Sequence, residues 1–291
     1  MGPISFLPLF MDRVWGGRRL EEVFGKPLPP DVPIGESWEL VDRSEAQSIS
    51  TDGTPLHELW TQRREEIFGP RAARYGERFP LLIKLLDARE ALSVQVHPPA
   101  SAAAALGGEP KSEMWFLADA DPGAHLLVGL RRGVTREAFT SALEAGEDVS
   151  ALLHRIDVSA GDAIYLPSGR VHAIGPGCLI LEVQQNSDTT YRVFDYGRPR
   201  ELHVEQSMAS IDWDDVEPPL LPRDGDTVVE TEYFTVSRRA PTPGECAIVC
   251  VLSGNAECGG ETFAAGDVFL VPATIEDPTV TGEVLVIELP A

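Results

Sequence analysis

The chain has 291 residues, enough for one large domain or for two of roughly 100 to 150 residues with separate apolar cores. Apolar residues make up 43% and charged residues 24%, and no stretch reaches the roughly 20 consecutive apolar residues that span a bilayer, so the sequence does not read as a membrane protein. A net charge of −22 opposes binding to nucleic acid or anionic lipid, and an anionic substrate would require a local cluster of positive charge.

Met1 to Phe10 carries neither a basic leader nor a long apolar run ending in small residues, so a cytoplasmic location is expected. Thr54 and Pro55 have the form of an N-cap and first helical position before Leu56, Leu59 and Trp60, which predicts a helical excursion over about 54–70. Short β-rich runs follow at Leu92 to Val96 and Glu113 to Leu117. A second helical signal runs from Val134 to Ala145, with Phe139, Ala142 and Leu143 on one face, and a shorter one passes through Leu152 and Leu153; together they predict a small helical insertion over about 131–156. Further β runs lie at Ala163 to Leu166, Leu179 to Val183, Ala247 to Leu252 and Val284 to Leu289, a pattern of antiparallel sandwiches or barrels.

The string Gly161-Asp-Ala-Ile-Tyr-Leu-Pro167 recurs as Gly266-Asp-Val-Phe-Leu-Val-Pro272, which predicts two similar β domains in tandem. The polar, Pro-rich stretch Asp212 to Asp226 cannot easily continue a strand and places the boundary near residue 220, giving domains 1–220 and 221–291. Cys178, Cys246, Cys250 and Cys258 form no C-x-x-C pair or regular framework and read as small buried apolar residues. Lysine occurs only at Lys26, Lys84 and Lys111, and the remaining cations are arginine, which points to lysine being kept where a compact or proton-transferring ammonium is needed.

Pro167-Ser-Gly-Arg-Val-His172 extends the first repeat into G-x5-P-x-G-x2-H, a string that resembles the second cupin motif, whose histidine is a metal ligand. Upstream, Gln95 and His97 alternate and so share one face of a strand, and Glu113 opens another. A lone histidine on a strand is more often structural, but two imidazoles, a carboxylate and an amide oxygen on one barrel wall make an open N/O set suited to catalytic Zn²⁺. The second repeat continues as Ala273-Thr-Ile275, without glycine or histidine, and reads as a metal-free copy. His57, His125, His154 and His203 have no such company and read as surface or helix-end residues, His203 least securely.

Gln95-Val-His-Pro-Pro99, Pro110-Lys-Ser-Glu113, and Glu182-Val-Gln-Gln-Asn-Ser-Asp188 with Tyr191-Arg192 resemble the type I mannose-6-phosphate isomerases, as do Trp15-Gly-Gly17 and Gly35-Glu-Ser-Trp-Glu39. The resemblance is strong over about 6–205 and is closest to the short bacterial form. It implies a mainly β double cupin, with an N-terminal catalytic barrel and a degenerate C-terminal one. It implies one Zn²⁺ per chain on Gln95, His97, Glu113 and His172, with Lys84, Lys111, Asp188 and Arg192 around the sugar. The expected catalytic set is Arg192, Lys111 and Asp188, and the expected substrate contacts are Lys84, Glu182 and Arg192. Lys84, in an apolar run, would need phosphate or an acidic neighbour. The implied reaction interconverts D-mannose 6-phosphate and D-fructose 6-phosphate by enediol-type proton transfer, with a sugar phosphate as the partner and the chain a monomer or homodimer. A non-catalytic sugar-phosphate-binding cupin and a metal-dependent cupin oxygenase are the alternatives.

Overall fold

A computed structural model describes residues 2–291; Met1, where the reading of the N-terminus begins, lies outside them. The described residues form three sheets whose strand pairings are antiparallel throughout. The first sheet runs in the order Leu9–Gly17, Ile34–Leu40, Leu81–Ala88, Cys178–Gln185, Glu113–Ala120, Ala163–Leu166. The second runs Tyr191–Phe194, Val94–Val96, His172–Ile174, His125–Leu130, Leu153–Asp157. The third contains the strands from Thr227–Glu230 to Val280–Glu288, and the short N-terminal strand Ile4–Ser5 joins its edge by pairing Ile4 with Leu270. The architecture is the mainly β cupin-type fold that the sequence predicts.

The central strands of the first sheet, Leu81–Ala88, Cys178–Gln185 and Glu113–Ala120, are largely buried on both faces, which explains why they read as nearly continuous apolar runs. Successive side chains alternate. Ile83, Leu85, Leu181, Val183, Met114 and Phe116 therefore pack against Ile248, Leu270, Leu285 and Ile287 of the third sheet. The other face places Leu86, Trp115, Leu117 and Ile180 in a core with Leu126, Val128 and Ile174 of the second sheet. Lys84, Glu113 and Glu182 alternate with the first set, so they turn toward the space between the first two sheets.

Both Gly-Asp turns form as the repeat predicts. Gly161 and Gly266 have φ of +87° and +85°, a region that disfavours a Cβ, and each leads two residues later into a short strand, Ala163–Leu166 or Val268–Val271. The insertion consists of helix Arg136–Glu144, capped by the Thr135 hydroxyl accepting from the Ala138 N–H, and the 3-10 turn Val149–Leu152; Leu153 already begins a strand.

The earlier excursion is less regular than its sequence predicts: it splits into Leu56–Gln62, Arg64–Phe68 and the 3-10 segment Pro70–Arg74. Thr54 does not cap it, because its backbone N–H is drawn into a tight turn by Ser50 Oγ and Asp52 Oδ1, and Pro55 takes the capping position. The four cysteines are buried and free, as expected. Among the described residues no helix is long and apolar enough to cross a membrane.

Candidate active site

Strand Val94–Val96 lies between Tyr191–Phe194 and His172–Ile174, and the register sets Gln95 opposite His172 on one side and Arg192 on the other. His97, two residues on, follows the same face. Across the barrel, Glu113 begins the strand paired with Cys178–Gln185. One cluster results: His97 Nε2 is 3.4 Å from Glu113 Oε2, and His172 Nε2 is 3.5 Å from Glu113 Oε1. All three residues are at most 2% exposed.

Each imidazole is oriented from behind. His97 Nδ1 donates to the Thr189 carbonyl at 2.7 Å, and His172 Nδ1 donates to that of Arg170 at 2.9 Å. A carbonyl only accepts, so both Nε2 lone pairs face the Glu113 carboxylate. Burial, reinforced by Lys111, drives His97 down to about 4, and burial lowers His172 as well, so both rings are neutral near pH 7. Burial pushes the Glu113 carboxyl up, but Lys111 and His97 outweigh it and hold the group well below the carboxylate range.

Glu113 Oε1 is buried with no hydrogen-bond partner. An ionised oxygen left unpaired between two inward lone pairs is costly without a cation, and the donor set therefore fits a metal. Among the described residues this is the trio that could hold one. Gln95 lies beside the trio, with its amide nitrogen 3.3 Å from His172 Nε2 and its Oε1 accepting from Ser93 Oγ at 3.1 Å.

A cleft of about 470 Å³ opens beside the trio. Lys111 hydrogen-bonds Glu113 Oε2 and lies 3.6 Å from Glu182 Oε1. Burial lowers its ammonium, but Glu113 and Glu182 outweigh that and raise it above the ordinary lysine value, so it stays charged. Lys84 finds acidic neighbours, Glu182 at 3.3 Å and Glu36 at 4.0 Å, and lies over the Trp38 ring. Glu182 accepts from Trp115 Nε1 at 2.9 Å. Asp188 and Arg192 border the same cleft nearer solvent. Among the described residues Arg192 forms no ion pair; it donates from Nη1 to the Glu201 carbonyl.

All the sequence-predicted site residues thus meet in one region. Sequence reasoning missed the cleft-lining Arg13 and Arg200, noted Trp15 and Glu36 only as parts of motifs, and left His203 on the surface. Glu36 accepts from Arg13 Nε and Nη2 at 3.2 and 3.0 Å and from Trp38 Nε1 at 2.7 Å. Burial raises its carboxyl, but Lys84 and Arg13 outweigh that and bring it to about 2. Gly16 and Gly35 permit this corner to close: a Cβ on Gly16 would meet the Gly35 nitrogen at 2.4 Å, and one on Gly35 would meet the Arg13 and Trp15 side chains at 2.6 Å. The Gly16 and Gly35 motifs carried that signal.

The type I phosphomannose isomerase catalytic-domain model matches residues 6–126. A probable mannose-6-phosphate isomerase of Bacillus subtilis, GmuF, is 36% identical over 96% of both chains. The chain belongs to the type I phosphomannose isomerase family. A second B. subtilis mannose-6-phosphate isomerase, ManA, is 39% identical over 81% of this chain and 78% of its own. The crystal structure of the B. subtilis mannose 6-phosphate isomerase matches 99% of both chains at 33% identity with a TM-score of 0.85. The protein is therefore a mannose-6-phosphate isomerase, and the buried trio and its cleft are the candidate active site of that isomerase.

Proposed function

We propose that the enzyme interconverts D-mannose 6-phosphate and D-fructose 6-phosphate with one Zn²⁺ per chain, held by His97, Glu113, His172 and Gln95. The observation that carries this reading is the convergence of two anchored, neutral imidazoles on a buried carboxylate whose Oε1 has no other partner. Nitrogen and oxygen donors without thiolate suit Zn²⁺ in a site that keeps a position for substrate. When bound, the ion supplies Lewis-acid stabilisation of charge on the substrate oxygens, which is typically worth several kcal/mol.

The remaining work falls to the chain. Net movement of a proton between C2 and C1 through an enediol-type intermediate requires a proton carrier near the carbons and positive charge near the oxygens. Lys111, Asp188 and Arg192 are the catalytic set of this reading. The buried Lys111 ammonium beside the trio stabilises negative charge and can pass a proton, while Asp188 supplies a carboxylate at the rim. Lys84 and Glu182, ion-paired to each other, present one donor and one acceptor group to the sugar hydroxyls, with Arg192 contributing to substrate binding.

Support for a division near residue 220 comes from position, since the trio lies wholly within 1–220. On this reading 1–220 is the catalytic cupin unit and 221–291 a degenerate one.

The test is a coupled assay of mannose 6-phosphate conversion on the protein as purified, after chelation and after zinc is restored. Activity lost and regained is the expected result. Binding of sugar phosphate without turnover in every sample would defeat the isomerase reading, and activity unaffected by complete metal removal would defeat the role of zinc.

A further inference from the structure

The two imidazoles of the trio are anchored in different ways. His172 Nδ1 donates to the carbonyl of Arg170, two residues back along its own chain, so that anchor moves with the histidine. His97 Nδ1 donates to the Thr189 carbonyl, 92 residues distant in sequence, at 2.7 Å. Val96 pairs with Tyr191, but His97 and Thr189 both lie beyond the ends of their strands, Val94–Val96 and Tyr191–Phe194. The ladder therefore does not fix the Thr189 carbonyl, and other contacts must.

Two hydroxyls supply them. Thr189 Oγ1 accepts from the Glu109 N–H at 3.0 Å, and Ser187 Oγ accepts from the Thr189 N–H at 3.2 Å while donating to the Glu109 carbonyl at 3.2 Å. Ser187 is 1% exposed, so water does not readily replace a hydrogen bond lost there. Arg43 braces both sides, donating from Nη1 to Glu109 Oε2 at 2.8 Å and to the Asn186 carbonyl at 3.0 Å, and Arg78 holds the other Glu109 oxygen. Gly108 permits the close approach, since a Cβ there would lie 2.6 Å from both Thr189 Cγ2 and Tyr191 Oη. The run from Glu109 through Lys111 to Glu113 is thereby stapled to the segment that carries Asp188. Asp188 and Thr190 border the cleft, whereas the Thr189 side chain is turned to Glu109.

We propose that Thr189 is the positioning residue for His97, and that its hydroxyl, with that of Ser187, sets how tightly the trio holds its metal. The proposal rests on the zinc reading of the trio and adds residues outside both the ligand set and the cleft lining. A histidine whose second ring nitrogen is tied to a carbonyl presents one tautomer in one orientation, and such partners are typically worth roughly 10- to 100-fold in metal affinity. Here the weight falls on Thr189, because the His172 anchor is local and moves with its ring. Because the same hydroxyls grip Glu109, loosening them frees the His97 anchor and the run leading to Lys111 and Glu113 together.

The experiment strips the full chain of metal and measures its dissociation constant for Zn²⁺ by competition with a chromogenic chelator. Thr189→Val, close in shape but without the hydroxyl acceptor, raises that constant by about tenfold or more. Thr189→Ser restores the acceptor and stays within about threefold of the parent. Ser187→Ala removes both hydrogen bonds of that hydroxyl and weakens zinc in the same direction, which keeps the test open should Thr189→Val fail to fold. Denaturant unfolding of the metal-free proteins separates affinity from fold. A variant that loses stability yet binds zinc as tightly as the parent would overturn the assignment. So would equal weakening by Thr189→Val and Thr189→Ser, which would trace the effect to packing at that position and not to the hydroxyl. A parent that binds no zinc would instead strike at the zinc reading itself.

Discussion

The two Gly-Asp turns start alike and end in opposite uses. After Ala163–Leu166 the chain turns through Pro167 to Gly169, whose N–H donates to the His97 carbonyl at 2.8 Å, and delivers His172 to the trio. After Val268–Val271 it turns through Pro272 to Ala273, whose N–H donates to the Ile67 carbonyl at 2.8 Å and joins the third sheet to a helical segment. The contrast extends to the cores. Lys84, His97, Lys111, Glu113, His172 and Glu182 are buried in the first region, whereas from residue 221 onward Ser237 is the buried polar side chain among the described residues. One turn-strand unit thus serves both a reactive interior and an apolar one, and the difference lies in the residues that follow the strand.

The largest expected effect breaks the contrast at its centre. His172→Ala removes one of the two anchored imidazoles and, on the proposed zinc site, should abolish metal binding, lowering kcat/KM by about a thousandfold or more. Thr274→Ala, an exposed position after the second turn, should leave zinc content and rate unchanged. Metal analysis and the coupled assay on both variants check this, and a His172→Ala protein that is active without metal would refute the assigned site.

The next prediction concerns acid stability, which the first region should control. Glu36 is held at about 2 in the fold, below its ordinary value of 4.5. A depressed carboxyl contributes stability that is fully present above the unfolded value and lost as pH falls toward the folded one. Glu36→Gln should therefore cost on the order of 3 kcal/mol at pH 7, and the gap between variant and parent should narrow steadily from pH 4.5 to 2. Urea unfolding at several pH values measures it; a gap that stays constant across that window would mean that Glu36 contributes by packing rather than by charge.

How much of this was legible in the sequence follows from which contacts are local. Alternation places Gln95 and His97 together, and the string ending at His172 singles out that histidine, so the residues that converge around Glu113 could be read from spacing and resemblance. The ion pairs of the cleft could not, although the resemblance already placed Lys84 and Arg192 there. Glu36 reaches Lys84 because Ile34–Leu40 pairs with Leu81–Ala88, with Trp38 opposite Lys84, and Arg192 reaches the cleft through its register with Gln95. Cross-strand register of distant segments leaves no periodic trace in one chain. His203 looked isolated for the same reason: its partner, Arg192, is eleven residues away across a segment whose shape is set by Asp195, a buried carboxylate that composition alone makes look solvated.

The smallest effects return to the turns themselves. Gly161 and Gly266 share nearly the same φ, +87° and +85°, so alanine at either position carries a similar backbone penalty of about 1 kcal/mol. Their surroundings differ. A Cβ on Gly161 would come no closer than 3.6 Å to Arg223 Nη1, whereas one on Gly266 would lie 2.4 Å from Phe24 Cβ, an overlap that a packed neighbour cannot relieve by rotating its ring. Gly161→Ala should therefore lower stability by about 1 kcal/mol with zinc retained, and Gly266→Ala by about 2 to 4 kcal/mol, the excess being the cost of overpacking. Denaturant unfolding of the two variants separates the contributions. Equal losses would mean that backbone conformation alone fixes the glycine in both turns; a larger loss at Gly266 would show that the second turn keeps its glycine for packing as well, while the turn leading to His172 keeps its own for backbone conformation.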